Sequence, residues 1–247
     1  RECGGIASNL FKYLEKLIKP GITTGYLDKI CYEFIKDHGA TPSFKGYSDY
    51  PASICTSVNY EIIHGLPGNQ KLKEGDIIGV DVGVQKNGLI SDSAYTFPIG
   101  NIKNEVALLL SRTEKSLYLA ISKIRNDVRL NDISGAIEDY INQFGYGIVR
   151  DYCGHGVGYE NHEDPEIPNY RFNGGKRRIK TGTVIAIEPM INMGTDATGI
   201  LDDGWTVVTR DRKLSAHFEH TIAVTDTGYD VLTILPEDLK IKMEKYL

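Results

Sequence analysis

Apolar residues recur at helical spacing in four stretches of the chain. Residues 3–18 keep one apolar face and stop at Pro20-Gly21, where a helix cannot continue. Ile22, Leu27, Ile30, Cys31, Phe34 and Ile35 make a second amphipathic run, and Gly39 closes it as a C-cap. The same pattern returns 106 residues later as Val128, Ile133, Ala136, Ile137, Tyr140 and Ile141, closed by Gly145. Between these, residues 105–125 predict a longer helix with Val106, Leu109, Leu110, Leu117 and Ile121 on its apolar face. Strands are predicted at 76–84 and 89–97, around Gln85-Lys86-Asn87-Gly88, where Asn-Gly between two β-rich runs signals a hairpin. Residues 183–192 and 217–225 read as further strands.

A second repeat ties the strands to the helices. The segment from Leu72 to Asp81 lies over Ile179 to Glu188 at an offset of 107, nearly that of the helices. Each copy carries a Lys, a Gly and a run of β-formers ending on a carboxylate. Two related halves of one α+β domain are expected, with antiparallel strands inside and helices outside. No stretch rich in Pro, Gly or Ser marks a boundary, so residues 1–247 are expected to form a single domain.

Carboxylates interrupt these apolar runs. Asp81 follows Ile77-Ile78-Gly79-Val80, Glu188 follows Val184-Ile185-Ala186-Ile187, and Glu219 stands before Thr221-Ile222-Ala223-Val224. Near-continuous apolar runs imply strands buried on both faces. A buried carboxylate there needs a proton, a cation or several donors. The hairpin adds Asp92. A four-residue loop pairs it with Asp81 and a two-residue Asn-Gly loop sets it diagonally, but both registers keep the two acids on one face. The strand runs hold no Lys or Arg, so a pair of divalent cations is the natural compensation, and oxygen ligands with one imidazole suit Mn, Fe, Co or Zn.

Among the six histidines, His155 sits in Gly154-His155-Gly156-Val157-Gly158, where flanking glycines are expected to leave the ring accessible. That glycine run is not the dinucleotide fingerprint. His162 follows in Asn161-His162-Glu163-Asp164-Pro165, and His64 precedes a turn. His38 and His220 read as structural. His217 shares a strand face with Glu219 and falls near the acids without being a chosen ligand.

Composition narrows the partners. Hydrophobic residues at 41% and charged residues at 25% describe a globular chain. With 28 basic and 33 acidic residues the net charge is −5, so nucleic-acid binding is not expected, and Lys176-Arg177-Arg178 with Lys180 reads as a solvated loop. Four cysteines without C-x-x-C spacing suggest a reducing setting rather than a disulfide or zinc scaffold. No apolar run is long enough to cross a membrane, and Arg1-Glu2-Cys3-Gly4-Gly5 does not read as a signal peptide. The missing initiator Met reads as a start inside a longer product.

Taken in order, Ser57-Val58-Asn59 through His64-Gly65, Asp81-Val82-Gly83, Ser91-Asp92-Ser93-Ala94, Gly154-His155-Gly156-Val157-Gly158, His162-Glu163-Asp164-Pro165, Ile187-Glu188-Pro189-Met190, Asp203-Gly204-Trp205-Thr206 and Glu219-His220-Thr221 resemble the methionine aminopeptidases, in their short bacterial type I form. The likeness covers essentially the whole chain. It implies the pita-bread fold and a dinuclear site held by Asp81, Asp92, His155, Glu188 and Glu219, with Asp92 and Glu219 bridging. It also implies hydrolysis after an N-terminal Met by a metal-bridging water. His162 would bind the scissile carbonyl, His64 the peptide nitrogen side, and Glu188 would shuttle a proton. Tyr47, Tyr50, Cys55 and Trp205 would line the side-chain pocket, and a monovalent cation would sit near Asn59, Glu61 and Ser215. Asn161 stands where Leu or Phe is common and Phe44 where some relatives have Cys, which bears on pocket shape.

The resemblance further implies a cytoplasmic monomer acting on nascent chains at the ribosome. Two alternatives are kept. Proline-specific relatives, aminopeptidase P and prolidase, share the ligands but usually carry a large N-terminal domain, whereas only about 75 residues precede the strand that carries Asp81 here. A nonenzymatic pita-bread module would have lost ligands, and all five are present. The type II methionine enzymes carry an insertion between the positions of His155 and Glu188, which this chain lacks.

Overall fold

The computed structural model describes residues 1–246, so Leu247, the end of the expected 1–247 domain, lies outside the described residues. Helix α1 (Glu2–Leu17) ends before Pro20 as expected. Helix α2 (Thr24–Asp37) opens on Thr23, whose Oγ1 accepts the Tyr26 N–H. It closes on Gly39, whose φ of +65° lets the Gly39 and Ala40 N–H groups fold back onto the Lys36 and Ile35 carbonyls. The second copy, α4 (Leu130–Ile141), runs through a single 3-10 turn before Gly145 closes it at φ +68°.

Between them, α3 (Asn104–Ile121) stops four residues short of the expected end. The Lys123 and Ile124 N–H groups fold back onto Ala120 and Ile121, turning the chain so that Val128 can pair with Ile179. The C-terminal helix α5 spans Pro236–Tyr246.

The repeat is reproduced in the pairing of the central strands. Strand Ile77–Asp81 lies between Cys55–Val58 and Ala94–Pro98, and strand Val184–Ile187 lies between Gly154–Gly156 and His220–Thr225. Ile77 faces Pro98 as Val184 faces Ala223. Ahead of each strand, Thr23 bridges Lys71 as Arg129 bridges Arg178. Gly75 (φ +88°) donates to Ile99 O, and Gly182 (φ +89°) donates to Val224 O, both at 2.9 Å. One apolar cluster packs α1 and α2 on the first half, and a larger one packs α3 and α4 on the second. Tyr95 touches both.

The hairpin takes the two-residue loop. Lys86 faces Leu89 across Asn87 (φ +54°) and Gly88 (φ +77°), the geometry of a type I′ turn. The same register holds through Val82–Ser93 to Asp81 opposite Ala94, so Asp92 lies diagonal to Asp81 on one face.

Each predicted long strand is, however, broken at its carboxylate. Residues 183–192 divide into Val184–Ile187 and Met190–Asn192, and residues 217–225 into Ser215–His217 and His220–Thr225. Pro189 has no N–H to give the ladder, and the Glu219 N–H leaves its own ladder for the Ala94 carbonyl at 2.9 Å. The register nevertheless continues across the gap, from Ile187–His220 to Met190–His217, so Glu188 faces Glu219.

Gly75→Ala and Gly182→Ala should each lower stability by about 1–2 kcal/mol, since both force a side chain onto a left-handed backbone. Urea unfolding of the two variants should give similar losses. A large loss from one and none from the other would contradict their equivalence.

Candidate metal centre

The two halves meet along a seam in which each clamps the other. Thr221 Oγ1 accepts the Asp92 N–H (2.9 Å) and donates to the Asp92 carbonyl (2.7 Å). Thr96 Oγ1 does the same for His217, at 3.0 and 2.7 Å. Ser93 Oγ donates to the Glu219 carbonyl at 2.8 Å. These bonds hold the backbones of Asp92, His217 and Glu219 against one cavity of about 130 Å³.

Asp81, Asp92, His155, Glu188 and Glu219 all line that cavity, together with His64, His162, Tyr47, Tyr50, Cys55 and Trp205. Among the described residues its lining contains no Lys or Arg. Asp92, Glu188, Glu219 and His155 are buried, and Asp81 is half-buried. Asp81 Oδ1, Asp92 Oδ1 and Glu219 Oε1 are buried with no hydrogen-bond partner among the described residues. Asp92, His155 and Glu219 each bring a ligand atom within 4.8 Å of the others. Orphaned carboxylate oxygens facing one another, with an imidazole among them, fit a divalent metal.

The imidazoles are set by their own bonds. His155 Nδ1 donates to the Gly156 carbonyl at 2.8 Å, which turns the Nε2 lone pair to Glu188 Oε1 (3.4 Å) and Asp92 Oδ2 (3.9 Å). Its ring is buried beside that of His162, 4.3 Å away, rather than accessible as its glycines suggested. Those glycines serve backbone contact instead: a Cβ on Gly156 would meet the Asp164 carbonyl oxygen at 2.3 Å. His162 Nδ1 lies 2.9 Å from the Tyr47 hydroxyl. His64 occupies a left-handed backbone position (φ +58°) with its ring edge-on to Tyr152.

In the apolar part of the cavity, the Tyr50 hydroxyl donates to the Gly65 and Ile54 carbonyls, which leaves its ring to meet Trp205 edge-on at 5.0 Å. Phe44 completes this wall beside Cys55, and the Asn161 amide donates to Ser43 O at 3.1 Å, bracing the Phe44 segment.

Two histidines fall outside the cavity, as expected. His38 Nδ1 caps α2 through the Phe34 carbonyl, and His220 lies between Tyr118 Oη and Thr233 Oγ1. His217 is the residue undervalued by sequence reading. It is buried, lines the cavity, and places Nε2 at 3.7 Å from Glu188 Oε2. The two-residue spacing from Glu219 already carried that signal.

Burial dominates the electrostatics. It pushes the Asp92 carboxyl up to about 7. Burial, reinforced by neighbouring carboxylates, holds Asp81, Glu188 and Glu219 well above the usual range. It drives His64 and His155 down to about 4 and His217 to about 3. The metal-free cavity therefore keeps protons on acids and none on imidazoles.

A model of metallopeptidase family M24 matches residues 1–226. The chain belongs to this family. Within M24, the methionine aminopeptidase of Clostridium perfringens is 49% identical over 95% of this chain and 94% of its own length. Methionine aminopeptidase 1 of Bacillus subtilis is 51% identical, over 94% of each chain. The crystal structure of methionine aminopeptidase from Rickettsia prowazekii superposes with a TM-score of 0.91 at 39% identity, covering 94% of each chain. The fold is thus the pita-bread fold of these enzymes. The Xaa-Pro dipeptidase from Bacillus anthracis shares that fold at TM-score 0.76, with 21% identity and 59% of its own chain covered.

Stripped of metal, the folded protein should lose stability as pH rises from about 6.5 through 7. In that window the raised carboxyls hold protons that the unfolded chain, with ordinary carboxyls near 4, has already released. The depressed histidines act in the opposite sense, but only between about 3 and 6.5. Thermal unfolding with chelator and with Mn, from pH 6.5 to 8, checks this. The metal-free midpoint should fall while the Mn-loaded one does not. A flat metal-free profile would mean that the carboxyls are not raised.

Proposed function

We propose that this chain removes N-terminal methionine from peptides and nascent proteins by hydrolysis, using a pair of divalent ions. The observation that carries the reading is a cluster of four carboxylates, three buried and one half-buried, with one imidazole, in a cavity whose lining among the described residues holds no Lys or Arg, in a chain matched almost end to end by methionine aminopeptidases. Asp81, Asp92, His155, Glu188 and Glu219 would hold the ions, with Asp92 and Glu219 shared between them. A metal pair supplies Lewis acidity and a water of lowered pKa.

The chain's own groups do the rest. Glu188 accepts a proton at one oxygen and delivers it toward the leaving nitrogen. His162, neutral and steadied by the Tyr47 hydroxyl, donates to the scissile carbonyl oxygen as charge develops there. His64, also neutral, binds the peptide nitrogen side. Phe44, Tyr50, Cys55 and Trp205 form an apolar slot for an unbranched thioether, with Tyr47 at its exposed edge. The substrate's free α-amino group is drawn to the carboxylate-rich end, which limits cleavage to the first residue.

The same reading takes Co, Mn, Fe or Zn as the ion. It takes a monovalent cation beside Asn59, Glu61 and Ser215, where the Asn59 carbonyl already accepts the Ser215 N–H. It also takes one catalytic domain over 1–247, acting as a cytoplasmic monomer on chains leaving the ribosome. Among the described residues no helix is long and apolar enough to cross a membrane.

Met-Ala-Ser should be cleaved in proportion to added Mn or Co, and a chelator should stop the reaction. Cleavage confined to an Xaa-Pro peptide would assign the chain to proline-specific chemistry. Metal binding without cleavage of either would favour a binding module. Asp92→Ala should lose both the metal pair and turnover, and normal activity would refute a bridging role. His162→Ala should lower kcat about 100-fold or more while both metals remain bound. Metal loss in that variant would place His162 among the ligands.

A further inference from the structure

His217 is used by none of the roles above, yet it occupies a special position in the repeat. The ladder that sets Asp81 opposite Ala94 corresponds to the one that sets Glu188 opposite Glu219. In that correspondence Asp92, two residues before Ala94, matches His217, two residues before Glu219. The clamps confirm it: Thr221 Oγ1 brackets the N–H and carbonyl of Asp92 just as Thr96 Oγ1 brackets those of His217. The fold therefore presents His217 to the cavity from the place where the other half presents a carboxylate.

His217 Nε2 is buried and has no hydrogen-bond partner among the described residues. The nearest acidic oxygen to it is Glu188 Oε2 at 3.7 Å. The other oxygen of that carboxylate, Oε1, faces His155 Nε2 at 3.4 Å. Glu188 thus has an imidazole beside each oxygen. His155 has its Nδ1 proton committed to Gly156, so its Nε2 offers a lone pair and is not a donor. A buried nitrogen left unpaired is costly, and a Glu188 carboxylate turned slightly toward it would complete the bond.

We infer that His217 is a positioning residue for Glu188: its Nε2–H donates to Glu188 Oε2, leaving Oε1, on the His155 side, to bind metal. The half that contributes Glu188 and His155 thereby fixes which oxygen faces the ion and which faces the protein. This rests on Glu188 serving as a metal ligand, as proposed above. Partners of this kind orient a ligand without touching the metal, and losing one typically weakens metal binding by about 10–100-fold.

The test is calorimetric titration of the metal-free full chain with Mn, alongside the visible spectrum of the Co-loaded protein. The variants are His217→Leu, His217→Gln and Glu188→Gln. His217→Leu should weaken one of the two Mn sites by about 10–100-fold and alter the Co spectrum. His217→Gln, whose amide can still donate, should recover most of that affinity and the spectrum. Where His217→Leu does not fold, His217→Asn takes its place, since its shorter amide cannot reach Glu188, and the same weakening is expected. Wild-type affinity in His217→Leu or His217→Asn would overturn the inference. So would equal weakening in His217→Gln, which would make the effect one of packing. Complete loss of one ion in every His217 variant would make it a ligand instead. Glu188→Gln should itself lose one Mn site. If it binds both as tightly as the wild type, the reading of Glu188 as a ligand fails, whatever His217 does.

Discussion

Each carboxylate of the central cavity repels the other three, and among the described residues no lysine or arginine on its walls answers them. Left ionised and unpaired in so dry a place, they would oppose folding by several kcal/mol each. The protein has two ways to lower that cost: it can hold protons on the acids, or it can hold metal among them. The raised carboxyls describe the first state and the orphaned oxygens point to the second. The cavity is thus poised between proton and metal occupancy, and that competition underlies both its electrostatics and its chemistry.

Holding such a cluster together requires a stiff frame. The frame is supplied by backbone and hydroxyl bonds across the seam rather than by the acids themselves. Thr96, Thr221 and Ser93 fix main-chain positions of His217, Asp92 and Glu219. Apolar packing of α1 and α2 on one half, and α3 and α4 on the other, supports the sheets from outside. The imidazoles stay neutral in this setting, so they can accept or donate without adding charge to the cluster.

Much of this was legible in the sequence because it depends on short-range rules. Asn87-Gly88 and the two-residue period of a strand place Asp81 and Asp92 on one face before any coordinates are known. The matching Gly75 and Gly182 announce the repeat, because only such residues turn the chain with φ near +90°. What escaped depends on distant partners. The strand breaks at Glu188 and Glu219 follow from Pro189 and from a bond to Ala94, which lies in the other half. The His155 ring is covered by His162 and lies against acids of both halves, so its local glycines were a poor guide to its exposure. For the two histidines of H-x-E-H, the two-residue strand period already puts His217 on the face of Glu219 and turns His220 away. The bonds across the seam, which clamp His217 to the cavity while His220 meets Tyr118, are what that period cannot show.

The division of the cluster between the halves also sets an order of events in biosynthesis. Asp81 and Asp92 come from the first half, while His155, Glu188 and Glu219 come from the second. The seam that aligns them needs Thr221, close to the end of the second sheet. During synthesis the first half leaves the ribosome with two of the four acids and without His155, a poor chelating set. A metal held by the five residues proposed above is therefore captured tightly only once nearly the whole chain has emerged and the halves have docked, which ties its loading to completed folding.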